Sequence, residues 1–186
     1  MTSKPSPVRS VPLPPGCRAT RCYTRTELAD AYAIGLPDDA IADPEQLARF
    51  IFAHQPAWIA ALMRVRDALV VGFGLKTAGA LKGAPAHDRA PRISIFRIYE
   101  THADEILLGE DDKHLDFRVS VLHRPRGAAA PGGRQLVVST VVHCHNRLGR
   151  AYIALIAPFH RQVVRACLRR AARIGWPVQG PAVNTA

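Results

Sequence analysis

The spacing of apolar residues changes along this chain, and each change marks an element. Between His143 and Ile174 the period is helical. On a wheel with Leu148 at zero, Leu148, Tyr152, Leu155, Ile156, Phe159, Val163, Ala166 and Cys167 share an arc of roughly 120°. Arg147, Arg150, Arg161, Arg165 and Arg169 fall on the far side. This predicts an amphipathic helix of nearly thirty residues, roughly 40 Å long, capped by Asn146. Pro158 removes one helical hydrogen bond and crowds the turn before it, so a kink near Ala154 is expected.

Upstream the period falls to two. Leu115, Phe117, Val119 and Val121 alternate with His114, Asp116, Arg118 and Ser120, which predicts a strand over Lys113–Leu122. Strands are also predicted over Ile93–Tyr99, Glu105–Glu110 and Gln135–Cys144, the last three strands joined as a meander. A first strand is expected within Glu27–Leu36, at Ala29–Ile34, ended by Pro37. Asp43, Pro44 and Gln46 then form a capping-box start for a helix with Leu47, Phe50 and Ile51 on its apolar face. Pro56 opens a second helix, with Trp58, Leu62, Val65 and Leu69 on one side. Val70–Leu75 contains a Gly-x-Gly, but lacks the third glycine of a dinucleotide fingerprint and the Gly-Lys-Ser/Thr of a P-loop, so it is read as a helix end. Residues 76–91 and Pro125–Gly133 read as loops.

Strand, two short helices, a run of antiparallel strands and a long final helix make an α+β chain. The long helix has to bury its stripe, and the concave face of a curved sheet is the place for it. Residues 1–22, with five prolines in the first fifteen positions, are expected to be a disordered Pro-rich arm. Residues 23–175 form one domain, and 176–186 a flexible tail.

The 186 residues carry a formal charge of +10, which permits attraction to nucleic acid, anionic lipid or acidic ligands without demanding any of them. No helix-turn-helix, zinc-finger or RNP pattern is present, and no apolar run is long enough to span a bilayer. There is no signal-peptide pattern. Four cysteines without a CxxC fit reduced thiols and a cytoplasmic protein, Cys144 and Cys167 being small buried hydrophobes.

Candidate chemistry concentrates from Glu110 to Arg118. His114, Asp116 and Arg118 share one strand face. If that face lines a cavity, His114, Asp116 and Glu110 are acid/base candidates and Arg118 an anchor for an anionic head group. If it is the outer face, opposite Leu115, Phe117, Val119 and Val121, the same residues form a solvated or salt-bridged surface, which alternation favours. His143 and His145 are two residues apart and could begin a metal site, whose third ligand would have to come from His114, His123 or Asp116, but no His-x-x-x-His or HExxH is present, and no metal or cofactor is expected. His160, at the edge of the helical stripe, either bonds a carbonyl freed by Pro158 or faces the cavity.

Three segments carry a resemblance: Pro56-Ala57-Trp58 through Arg64–Asp67 to Gly74-Leu75-Lys76, Leu108–Val121, and His145–Tyr152 through Pro158-Phe159-His160 to Leu168-Arg169-Arg170. They resemble a bacterial family of unknown function, domain of unknown function 2867, associated with the START-like, or SRPBCC, superfamily. The resemblance covers about residues 25–173. It implies a helix-grip fold, a curved antiparallel sheet gripping the C-terminal helix, with a cavity between the two for apolar or amphipathic small molecules. It implies no catalytic residue.

The expected function is therefore binding of a hydrophobic or amphipathic ligand under the long helix, with Trp58, Arg118, Tyr152, Ile156, Phe159 and His160 as its contacts. One alternative is a cyclase- or isomerase-type enzyme using His114 and Asp116. Another is a basic accessory protein that binds anions or nucleic acid through the Arg147–Arg173 face. The sequence leaves oligomeric state open.

Overall fold

The computed structural model describes residues 6–71, 91–125 and 133–178. The strands are β1 (Arg9–Val11), β2 (Leu28–Gly35), β3 (Arg92–Ile93), β4 (Phe96–Thr101), β5 (Glu105–Asp111), β6 (Leu115–Arg124) and β7 (Gln135–Cys144). The helices are α1 (Pro44–Ala53), α2 (Ala57–Val71) and α3 (Arg147–Ile174). Among the described residues the strands form one curved antiparallel sheet in the order β1-β2-β7-β6-β5-β4-β3. The fold is α+β, with α3 lying against one face. The Gly-x-Gly after α2 lies outside the described residues, as do most of the two predicted loops.

Local chemistry accounts for the helix starts. Asp43 accepts from the Glu45 and Gln46 amides, at 2.8 and 3.4 Å, and Pro44 occupies the first helical position. Asn146 accepts from the Gly149 amide at 3.0 Å, and its side-chain nitrogen lies 2.9 Å from His114 Nδ1. The first turn of α3 is thereby tied to the start of β6. Pro158 lies inside an α3 that continues unbroken from Arg147 to Ile174.

The strand predicted at Ile93–Tyr99 is divided. Ile93 pairs with Phe96 across a two-residue turn, in which Ser94 adopts φ +57°. Tight hairpins demand such left-handed backbone because it matches the twist of the strands they join. Arg92 fixes the turn by donating to the Ile95 carbonyl at 2.7 Å and to Glu110 at 2.9 Å.

Both faces of the central strands are buried, and residues 6–22, the described part of the expected disordered arm 1–22, take part in covering them instead of forming a separate arm. Arg9–Val11 pair with β2. Cys17 and Ala19 pack with Leu107 and Val141 on the sheet face opposite α3. The anchor is Glu105, a buried carboxylate of β5. It accepts from the Ser120 hydroxyl at 2.6 Å, the Arg18 amide at 3.0 Å and the Cys17 thiol at 3.5 Å. The start of the expected tail is also held: Trp176 is buried against Phe50, and Ile41 donates to the Pro177 carbonyl at 2.8 Å.

The stripe that α3 buries differs from the stripe of its largest side chains. Gly149, Ile153, Cys167, Leu168 and Ala171 are buried, whereas Leu155 and Phe159 are 61% and 54% exposed. The helix is turned by about one residue, roughly 100°. Gly149 shows why. A Cβ there would collide with the His114 carbonyl and press on Cys144, so α3 approaches the sheet through its smallest residues.

Candidate functional site

The face of the sheet beneath α3 holds two apolar clusters. One contains Leu28, Leu115, Val142 and Ile153, with Tyr152 and Ile156 packed against it. The larger contains Tyr32, Ile34, Val138, Cys167 and Leu168. Asp30 sits between them on β2. Alternation places it on the same face as Leu28, Tyr32 and Ile34, and its cross-strand neighbour is Thr140.

The Asp30 side chain is 10% exposed. His160 Nε2 lies 3.4 Å from its Oδ1, and Arg161 Nε 3.8 Å from its Oδ2. Neither carboxylate oxygen receives a hydrogen bond of good geometry, and His160 Nε2 has none either. One turn further along α3, the Arg165 guanidinium stands 5.1 Å from the Tyr32 ring centroid. Burial, with Asp30 beside it, pushes the Tyr32 hydroxyl above its ordinary pKa. A carboxylate, an imidazole and two guanidinium groups thus converge beneath one helix between apolar walls. Buried carboxylates are normally saturated with donors. Here the acceptor capacity is open to a hydroxyl, an amine or a water.

The residues predicted from the charged run are dispersed. Asp116 and Arg118 lie on the face away from α3. Asp116 Oδ1 is 3.0 Å from His145 Nε2, Glu110 pairs with Arg92, and His114 contacts Asn146. The trio His114, Asp116 and Glu110 therefore forms no common acid/base centre. Arg118 is not solvated, because the N-terminal segment covers it: its guanidinium is 3.6 Å from the Tyr99 ring centroid and 5.6 Å from that of Tyr23. It donates to Asp111 at 2.7 Å. Burial works against the Asp111 carboxylate, but hydrogen bonds from Arg118 and Tyr99 outweigh it and hold its pKa below the usual range. Burial and the Asp111 bond push Tyr99 up to about 12.

Across the same face Tyr23 stacks on His143 at 5.5 Å, and His143 meets His145 edge-on at 5.2 Å. His143 Nδ1 is engaged by the Arg25 carbonyl at 2.9 Å. Among the described residues no three His, Cys, Asp or Glu side chains are grouped to hold a metal ion. Cys144 and Cys167 are each pushed to about 11, by burial first and, for Cys144, by Glu27 as well. Both thiols stay protonated and serve as packing.

Of the predicted contacts, His160, Tyr152 and Ile156 come together beneath α3. Trp58 and Phe159 are largely exposed, and Arg118 is on the opposite face. Asp30 is not among the residues expected from the sequence. The available signal was a single acid in Leu28-Ala-Asp-Ala-Tyr-Ala-Ile34, in phase with the residues that face the core.

No curated protein and no solved structure matches the chain. A family model described as protein of unknown function (DUF2867) matches residues 22–167, well over half of the 186 residues and including every residue of the Asp30 centre. Among the described residues no helix is long and apolar enough to cross a membrane. The resemblance read from the three sequence segments is met at the level of this family, and the chain belongs to the DUF2867 family.

Proposed function

We infer that the protein is a small-molecule-binding domain of the START-like, SRPBCC helix-grip kind, taking a hydrophobic or amphipathic ligand between α3 and the sheet. The observation that carries this reading is Asp30. A carboxylate nine-tenths buried between two apolar clusters, with both oxygens lacking a well-formed hydrogen bond, is a costly feature for a site that is only structural. Ligand sites combine apolar walls with a few such polar groups. Tyr152 and Ile156 supply the wall, and Asp30 and His160 orient a donor-bearing end of the ligand.

Native mass spectrometry of the freshly purified protein tests the reading, together with titration of an environment-sensitive apolar dye. A copurifying small molecule, or dye binding lost in Asp30→Leu and His160→Leu, is the expected result. Protein that carries no ligand and binds no apolar probe would remove the proposal.

A second reading, acid–base catalysis, draws on the same pair rather than on His114, Asp116 and Glu110. An imidazole set beside a carboxylate is the arrangement of an oriented general base. Once a ligand is identified, conversion that follows a single ionisation and is lost in His160→Gln would distinguish catalysis from binding alone.

A further inference from the structure

α3 carries seven arginines and no aspartate or glutamate over its 28 residues. Among the described residues no carboxylate lies within ion-pair distance of Arg147, Arg150, Arg169, Arg170 or Arg173. Two features make this arrangement locally unfavourable. Arg161, Arg165, Arg169 and Arg173 follow one another at intervals of four, and like charges so spaced repel along a helix. The helix dipole welcomes cations in the last turn but opposes Arg147 and Arg150 in the first. An external anion relieves both. The chain as a whole, at +10, adds long-range attraction of the same sign.

The apolar residues select the kind of anion. Leu155 and Phe159, each more than half exposed, lie on the helical line that continues through Ala166 to Arg170 and Arg173. Ile174, the last residue of the helix, and Val178 just past it are also exposed. A phosphate backbone has no use for an aliphatic and aromatic pair in line with the cations. An anionic bilayer uses both, because headgroups take the guanidinium groups while Leu and Phe enter the acyl boundary.

We propose that the outer face of α3 docks on an anionic phospholipid surface, with Leu155 and Phe159 inserted and Arg169, Arg170 and Arg173 on the headgroups. The docking does not depend on Asp30 and His160, which meet on the sheet-facing side of the helix. A membrane-seated α3 would place the ligand site beside a reservoir of apolar molecules.

Cosedimentation with phosphatidylcholine vesicles containing about one-third phosphatidylglycerol tests it. The protein should bind these vesicles and leave pure phosphatidylcholine vesicles in the supernatant. Arg169→Glu/Arg173→Glu should weaken binding by about tenfold or more. Leu155→Ser/Phe159→Ser, which keeps every charge, should weaken it at physiological salt. Both variants change exposed side chains, and an unaltered circular dichroism melt confirms that they fold. Failure to bind the anionic vesicles, full binding by the double serine variant, or tighter binding to a DNA duplex than to the vesicles would each overturn the proposal.

Discussion

His160 reaches from the middle of α3 to Asp30 on β2, with Nε2 3.4 Å from Oδ1, and joins the helix to the sheet at an acidic position beneath it. The contact has the distance of an ion pair but lacks the geometry of a hydrogen bond. Replacing both members of a buried ion pair with apolar groups is often neutral or stabilising, whereas removing one member is costly. Asp30→Leu combined with His160→Leu is expected to hold stability or raise it by about 1–3 kcal/mol in urea unfolding. His160→Leu alone, which strips the carboxylate of its nearest partner, should lower it by about 2 kcal/mol. A large loss in the double variant would mark the pair as structural instead.

Arg118 is held by ring faces as well as by charge. A lysine would keep the charge but lose the flat contact with Tyr99 at 3.6 Å and the reach to Asp111. Arg118→Lys should cost about 1–2 kcal/mol in the same assay. The Asp111 carboxylate has a folded pKa below its unfolded one. Its contribution is therefore present above about pH 4 and lost as pH falls through the lower folded value. Asp111→Asn should flatten the acid limb of the stability profile.

Gly109 gives Arg118 its route over β5. A Cβ at that position would meet the Phe117 carbonyl and the Arg118 side chain. Gly109→Ala should cost about 2–3 kcal/mol, since the obstacle is backbone that cannot move aside.

Glu105 secures the N-terminal segment. Glu105→Ala leaves the Ser120 hydroxyl and the Arg18 amide without their acceptor and should cost about 3 kcal/mol. Trypsin should then cut at Arg18, Arg21 or Arg25 faster than in the parent protein. Equal cleavage rates would mean that the segment is held by its apolar contacts alone.

His123 is buried on β6 beside Arg134, which also donates to the carbonyls of Pro37, Asp38 and Ala40 at 3.1, 2.7 and 2.9 Å. Burial, and then the Arg134 cation, hold the imidazole below its ordinary pKa. The unfolded chain thus takes up the proton first as pH falls. Stability from this residue is full above about pH 6.5 and declines through the window between the unfolded and folded values. His123→Leu should reduce the slope of stability between neutral pH and about pH 5.

The element order was legible because it rests on local chemistry. Asp43, Pro44 and Asn146 announce helix starts by satisfying amides within the next turn, and the alternation in Leu115–Leu122 fixes β6 in phase. The Ile93–Tyr99 strand hid a hairpin, since nothing in Ile-Ser-Ile-Phe signals a left-handed serine; Arg92 and Glu110, eighteen residues apart, hold the turn in place. The candidate site was half legible. His160 stood at the edge of a visible stripe, whereas Asp30 was a single acid whose importance depends on what crosses above it.

The sequence by itself determined the α+β class, the order of strands and helices from β2 onward apart from the β3–β4 hairpin, and the presence of one long amphipathic helix, because periodicity and capping act within a few residues. Only the tertiary structure decided which side of that helix is buried and which face of the sheet it covers. The bulk of apolar side chain around the helix favours the stripe of Leu155 and Phe159. Close approach favours the stripe of Gly149 and Ala171, where the helix backbone comes up against the His114 carbonyl. In the same way Arg118 reads as surface until the segment around Tyr23 folds over it. Shape complementarity between distant segments settled both, and no spacing along the chain encodes it.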